Sequence, residues 1–338
     1  MAASRTNANW LAAGLVALAT ALAAVCALSV GLGSRSIDVG TVFDALAGGG
    51  PDSTDATVVR EVRVPRTLLG LLVGMALGLS GALLQGVTRN PLADPSIMGL
   101  SAGAAGFVVL GVSVLGIREL SGYVWLAFAG TAAAALLVYG VASIGRDGAT
   151  PVKLALAGAA VAAGLWSVTT GVVMSDVDAL EEIRLWQVGS LAGRNAPVLE
   201  QVAPFIAVGA LLALGFGRAL NGLALGEEAA TGLGQRVALT RGLILLAVTI
   251  LCGAATAACG PIVFVGLVVP HVARAICGPD YRWILPYCLL LAPTLLLSAD
   301  VLGRLVLAPG ELEVGVVLGV LGAPFFVALV RYRNLAEL

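Results

Sequence analysis

Apolar residues in this chain come in blocks: Trp10–Gly33, Thr67–Val87, Ser96–Leu115, Gly122–Ile144, Val152–Met174, Pro197–Phe216, Gly242–Ala258, Ile262–Ile276, Trp283–Leu302 and Val314–Val330. Most approach the ~20 residues that carry a helix across a bilayer core, the eighth being the shortest. The blocks are apolar on every side, whereas the strands of a membrane barrel would alternate apolar and polar positions. The pattern therefore predicts an all-α polytopic membrane protein with about ten transmembrane helices, forming one domain over residues 1–338. Trp10–Gly33 exceeds the ~7–15 apolar residues of a signal peptide and reads as a retained helix.

The polar interruptions carry the remaining information. Arg218–Val237 is too polar for hydrocarbon, yet Leu223, Leu225, Ala229, Ala230 and Leu233 give it apolar faces. Glycines at 222, 226, 232 and 234 cut it into pieces, which predicts two short helices joined at a glycine elbow. Glu227 and Glu228 fall at the positive end of the second helix, and Gly232 and Gly234 end it. Arg60, Arg63 and Arg66 cluster at the mouth of the second span, with Pro65 near its first turn; the ordinary use of such residues is interfacial anchoring. Asn90-Pro91 and Asp94-Pro95 predict a tight non-helical turn. Thr150-Pro151 supplies good N-cap and N1 residues for the fifth span. Ser175–Arg194 reads as an amphipathic helix lying in the interface, with Trp186 at headgroup level.

Composition agrees: 59% of residues are hydrophobic and 12% charged, against about a quarter charged in soluble domains. The 44 glycines suit close approach of helices in lipid. A net charge of -1 points to no partner, nucleic acid included. The five cysteines form no Cys-x-x-Cys pair, and Cys252 and Cys259 read as packing residues. The single lysine, Lys153, sits between Val152 and Leu154, so the chain has no Gly-Lys-Ser/Thr phosphate loop and does not bind ATP by that route. The single histidine, His271, reads as a packing residue near its helix end. Asp300 is the best candidate for an intramembrane functional acid, although Arg304 stands one turn away and predicts an internal ion pair. The side that holds the elbow carries the larger share of the 19 lysines and arginines, which places it in the cytoplasm with both termini.

Six motifs occur in order: Val62-Arg63-Val64-Pro65-Arg66-Thr67, Gly81-Ala82-Leu83-Leu84-Gln85, Arg89-Asn90-Pro91-Leu92-Ala93-Asp94-Pro95, Gly260-Pro261-Ile262-Val263-Phe264-Val265-Gly266-Leu267, Pro270-His271-Val272-Ala273-Arg274 and Gly319-Val320-Leu321-Gly322-Ala323-Pro324-Phe325-Phe326. Together they resemble the membrane permeases of iron–siderophore, haem and vitamin B12 ABC importers. Leu185–Leu191 and Pro309–Leu312 look most like the ferric enterobactin type. Glu313 stands where many members have proline.

The resemblance implies a type II ABC importer permease in the inner membrane of a bacterium. Its implied partners are a second permease subunit, a relative sooner than a copy, two ATPase subunits and an extracytoplasmic solute-binding protein, with lipid around the bundle. ATP and magnesium would belong to the ATPase, and this chain would hold no cofactor. A coupling segment at about 218–241 would meet the ATPase through Leu225, Gly226, Glu227, Glu228, Ala229, Ala230, Gly232, Leu233, Gly234 and Arg236. Arg63, Arg66 and Arg304 would dock acidic residues of the binding protein, as outward-facing forks for carboxylates. The cargo implied is a ferric siderophore, with haem or vitamin B12 as alternatives. A transporter working alone on an ion gradient is the competing reading, and it requires buried charge near mid-membrane.

Overall fold

A computed structural model describes residues 8–48, 53–96, 98–117, 120–144, 150–175, 186–194 and 196–332. The apolar blocks wind into ten helices: α1 (Ala8–Gly31), α3 (Thr54–Thr88), α4 (Leu100–Leu115), α5 (Leu120–Ala142), α6 (Pro151–Ser175), α7 (Ala196–Gly215), α10 (Val237–Cys259), α11 (Val265–Cys277), α12 (Tyr281–Val306) and α13 (Val314–Tyr332). Among the described residues three shorter ones lie between them: α2 (Val39–Ala47), α8 (Gly217–Ala224) and α9 (Glu227–Gly232).

Local chemistry sets the boundaries. The α3–α4 turn is held by its own side chains: Asn90 Oδ1 accepts from Leu92 N and Asp94 Oδ1 from Ser96 N, both at 2.9 Å. These Asx turns compete with helix, so α4 begins at Leu100 and not at Ser96. At the start of α6, Lys153 N donates to Thr150 Oγ1 at 3.4 Å, the expected N-cap. Helix α3 begins well before Thr67, capped by Ser53, whose hydroxyl accepts from Ala56 N at 3.1 Å. It then widens into a π-helical turn over Val58–Arg63. That wider turn precedes Pro65, whose ring lacks an N–H and crowds the carbonyl four residues back.

Helix α3 is the axis of the bundle, buried almost continuously from Pro65 to Thr88 and packed against α7, α10, α11 and α12. Lipid gives helices no hydrophobic reason to associate, so close van der Waals packing must hold them. A Cβ on Gly74 would strike the backbone of Pro293 in α12, and one on Gly81 would strike Gly266 in α11. Outer helices expose large apolar side chains, among them Trp125, Leu136, Leu156 and Met174. Surface of that kind needs lipid or another membrane subunit to cover it.

One predicted element is corrected. Residues 176–185 lie outside the described residues, but Trp186 and the stretch after it do not form an interfacial helix. Trp186 is 3% exposed and its indole N–H donates to Ala257 O at 3.2 Å. Ser190 N donates to Cys259 O at 2.8 Å, and Gly315 N to Gly189 O at 3.0 Å. Non-helical backbone is tolerated here because neighbouring helix ends satisfy it inside protein.

Candidate functional site

Two constellations stand at opposite ends of α3 and α12. At one end, α8 and α9 form the predicted elbow, with Gly226 between them at φ +107°, a conformation that side chains avoid. Leu220, Leu223 and Ala230 are buried and root the elbow in the bundle. Polar ties fix it on three sides. Asn221 Nδ2 donates to Asp280 Oδ1 at 2.6 Å while Asn221 Oδ1 accepts from Tyr281 N at 2.9 Å, bracketing the turn before α12. Gln235 Nε2 donates to Ala219 O at 3.0 Å. Arg241 of α10 reaches Glu227 of α9 at 2.6 Å. Hydrogen bonds from Arg282, aided by Asn221, hold the Asp280 carboxyl down at about 2 against partial burial.

What the elbow presents is apolar. Leu225 and Leu233 are 70% and 72% exposed, flanking exposed Glu227, Glu228, Ala229 and Gly232, with half-buried Gly226 behind. Gly234, at φ +82°, and Arg236 are also exposed. Ala230 is a correction: grouped in the sequence with the partner-facing residues, it points wholly inward, because α9 must bury one face to stay attached.

At the other end, Asp300 of α12 is 1% exposed and carries two arginines. Arg66 of α3 approaches it with Nε at 3.2 Å from both carboxylate oxygens and Nη2 at 2.8 Å from Oδ1. Arg304 reaches Oδ2 at 3.0 Å, the predicted pair one turn apart. Arg66 Nη1 also donates to Glu311 Oε2 at 2.7 Å, and Ser34 Oγ to Glu311 Oε1 at 2.9 Å. Glu311 is half-buried, which alone would raise its carboxyl; the bonds from Arg66 and Ser34 overcome this and hold it below its usual range.

The expected outward forks of Arg63, Arg66 and Arg304 are therefore corrected: all three side chains are buried and turned inward. Two physical demands draw them in. Buried Asp300 needs compensating charge, and the last carbonyls of α1 need donors. Arg304 Nη1 donates to Ser29 O and Leu32 O at 3.0 and 2.8 Å. Arg63 donates to Val30 O at 3.0 Å and Gly31 O at 2.7 Å. The roles of Glu311 and Ser34 escaped sequence reasoning, because their partner lies far away along the chain.

The motifs between these ends converge. Gln85 Nε2 donates to Gly266 O at 3.3 Å and its carbonyl takes a bond from Arg274. His271 Nε2 bonds Pro91 O at 2.9 Å, in keeping with a packing role. Four of the six motifs thus brace α3, α11 and the turn after α3 against one another.

A helical bundle around one glycine-lined axis, with a helical elbow tied to it at one end, is the build of a transporter membrane subunit. A solved structure described as an inward-facing metal-chelate type ABC transporter superposes with a TM-score of 0.81 at 28% identity, covering 94% of this chain and 99% of that one. The model of the FecCD transport family matches residues 21–332, and the chain belongs to that family. The ferric enterobactin transport system permease protein FepD of Escherichia coli is 47% identical over 91% of this chain and 92% of its own length. The YfiZ siderophore transport system permease of Bacillus subtilis is 39% identical over 92% of each chain. The protein is a transport subunit and not an enzyme.

Proposed function

We propose that this chain is the permease of an importer that carries a ferric siderophore across the bacterial inner membrane, driven by a separate ATPase. The observation that carries the reading is the elbow: tied to the bundle on three sides, it offers Leu225 and Leu233 to something outside the chain. A rigid element with a partner-seeking surface is what transmits a two-state motion between subunits. Two ATPase subunits holding ATP and magnesium would seat the elbow through Leu225, Ala229 and Leu233, on the cytoplasmic side with both chain termini. A related permease chain would complete the pathway. A binding protein would dock at the Asp300 end, on a surface that Arg63, Arg66 and Arg304 shape from beneath.

A gradient-driven mechanism loses its best candidate acid, since Asp300 is held by two arginines. The test is co-expression with the cognate ATPase. Leu225→Glu with Leu233→Glu should lose the ATPase on purification while the permease stays monodisperse; retained ATPase overturns the coupling role. In liposomes carrying the whole assembly, radiolabelled ferric catecholate should enter on ATP addition, and uptake of cobalamin or haem instead would overturn the cargo.

A further inference from the structure

A cavity of about 130 Å³ lies at the elbow end, between the end of α3, the start of α6, and α9 and α10. Aliphatic side chains of Val87, Leu154 and Leu245 line part of it, and the polar part is rich in donors. Arg241 gives one N–H to Glu227 at 2.6 Å. Arg89 and the hydroxyl of Tyr139 have no side-chain partner among the described residues. Thr150 Oγ1 accepts from Lys153 N, which leaves its hydroxyl hydrogen to give. Against these donors stands, among the described residues, a single lining carboxylate, Glu227. Arg89 also closes α3 in the left-handed region, at φ 49°, where glycine or asparagine would sit with less strain. Strain of this kind collects where a particular side chain is needed.

We propose that this cavity binds a phosphate group, between the guanidinium groups of Arg89 and Arg241. Planar guanidinium forks match phosphate oxygens in pairs. Basic pockets between membrane helices on the cytoplasmic side accept anionic headgroups. The aliphatic lining suits a phosphate that arrives on a lipid. A bound phosphate competes with Glu227 for Arg241, so occupancy is linked to the tie between α9 and α10.

The experiment uses the permease complex in detergent, offered phosphatidylglycerol or phosphatidylcholine and read by native mass spectrometry. In parallel, thermal melts compare inorganic phosphate with chloride at equal ionic strength. Phosphatidylglycerol should be retained selectively, and Arg89→Gln should reduce that retention about tenfold, the effect of one charge-assisted hydrogen bond. Glu227→Gln should increase retention by freeing Arg241, a gain that a misfolded variant would not show. Stabilisation by inorganic phosphate as well assigns the site to the phosphate whatever carries it, and an effect of lipid alone assigns it to a headgroup with its chain. Equal retention of the two lipids, no change in Arg89→Gln, or selectivity only when the ATPase is bound would overturn the proposal; the last would mean that a partner's carboxylate fills the cavity.

Discussion

At one end of α12, Arg66, Asp300 and Arg304 are buried and spend their hydrogen bonds on one another and on the end of α1. At the other, Leu225 and Leu233 stand exposed on an elbow that Asn221 and Gln235 tie back to the bundle. Charge is buried at the first, and leucine is exposed at the second. The lesson concerns what each end is for. Buried ion pairs with fixed geometry hold helices in register, whereas exposed leucines on a rigid mount wait for another surface.

The comparison breaks most visibly at Asp300. Asp300→Asn removes the carboxylate that two buried arginines share, leaving Arg66 with Glu311 and Arg304 with the backbone carbonyls at the end of α1. Removal of one partner from such a buried pair costs about 3–5 kcal/mol. The purified permease should melt markedly earlier, while Glu311→Gln, at the half-exposed edge of the cluster, should cost much less. If the two variants melt alike, the cluster is not organised around Asp300. Next comes the axis: Gly74→Leu drives a side chain into Pro293, and overpacking of this sort costs about 1–3 kcal/mol, readable in the same melt.

Smaller still is the expected effect at the elbow. Leu225→Ala and Leu233→Ala should leave melting within about 0.5 kcal/mol of wild type, as surface changes do. Each should still weaken ATPase association by about 1 kcal/mol or more in a binding titration. Melting losses there without binding losses would show that these leucines belong to the fold. Smallest is the acid response of Asp280. Its folded carboxyl sits at about 2, below the ~3.9 of an unfolded aspartate, so its contribution is complete above about pH 4 and disappears as pH falls towards 2. Asn221→Ala should shrink this acid-dependent part, and an unchanged pH profile would detach Asn221 from it.

Much of the fold was legible because membrane helices announce themselves as uninterrupted apolar runs, and Gly226, Gly232 and Gly234 marked the elbow by where they break one. The Asp300–Arg304 pair was legible because a spacing of four is local. Arg66 on Asp300 was not, since no local pattern connects two helices so distant in sequence. Trp186 misled for a physical reason: an indole satisfies its N–H equally well at a headgroup or on a buried carbonyl, and only the buried carbonyl of Ala257, in the last turn of α10, decides between them. Ala230 could be assigned to the elbow but not to one of its faces, because a helix as short as α9 has too few turns to show a periodic stripe.

The distance in sequence between Arg66 and Asp300 also bears on how the protein is made. They are 234 residues apart, and at ~5–20 residues per second a ribosome needs roughly 12–50 s to travel from one to the other. Throughout that interval α3 is in the membrane without its counter-ion. Because Arg66 stands just before the apolar run Thr67–Val87, its guanidinium can remain in water until α12 is inserted. A late helix thus draws an early charge inside.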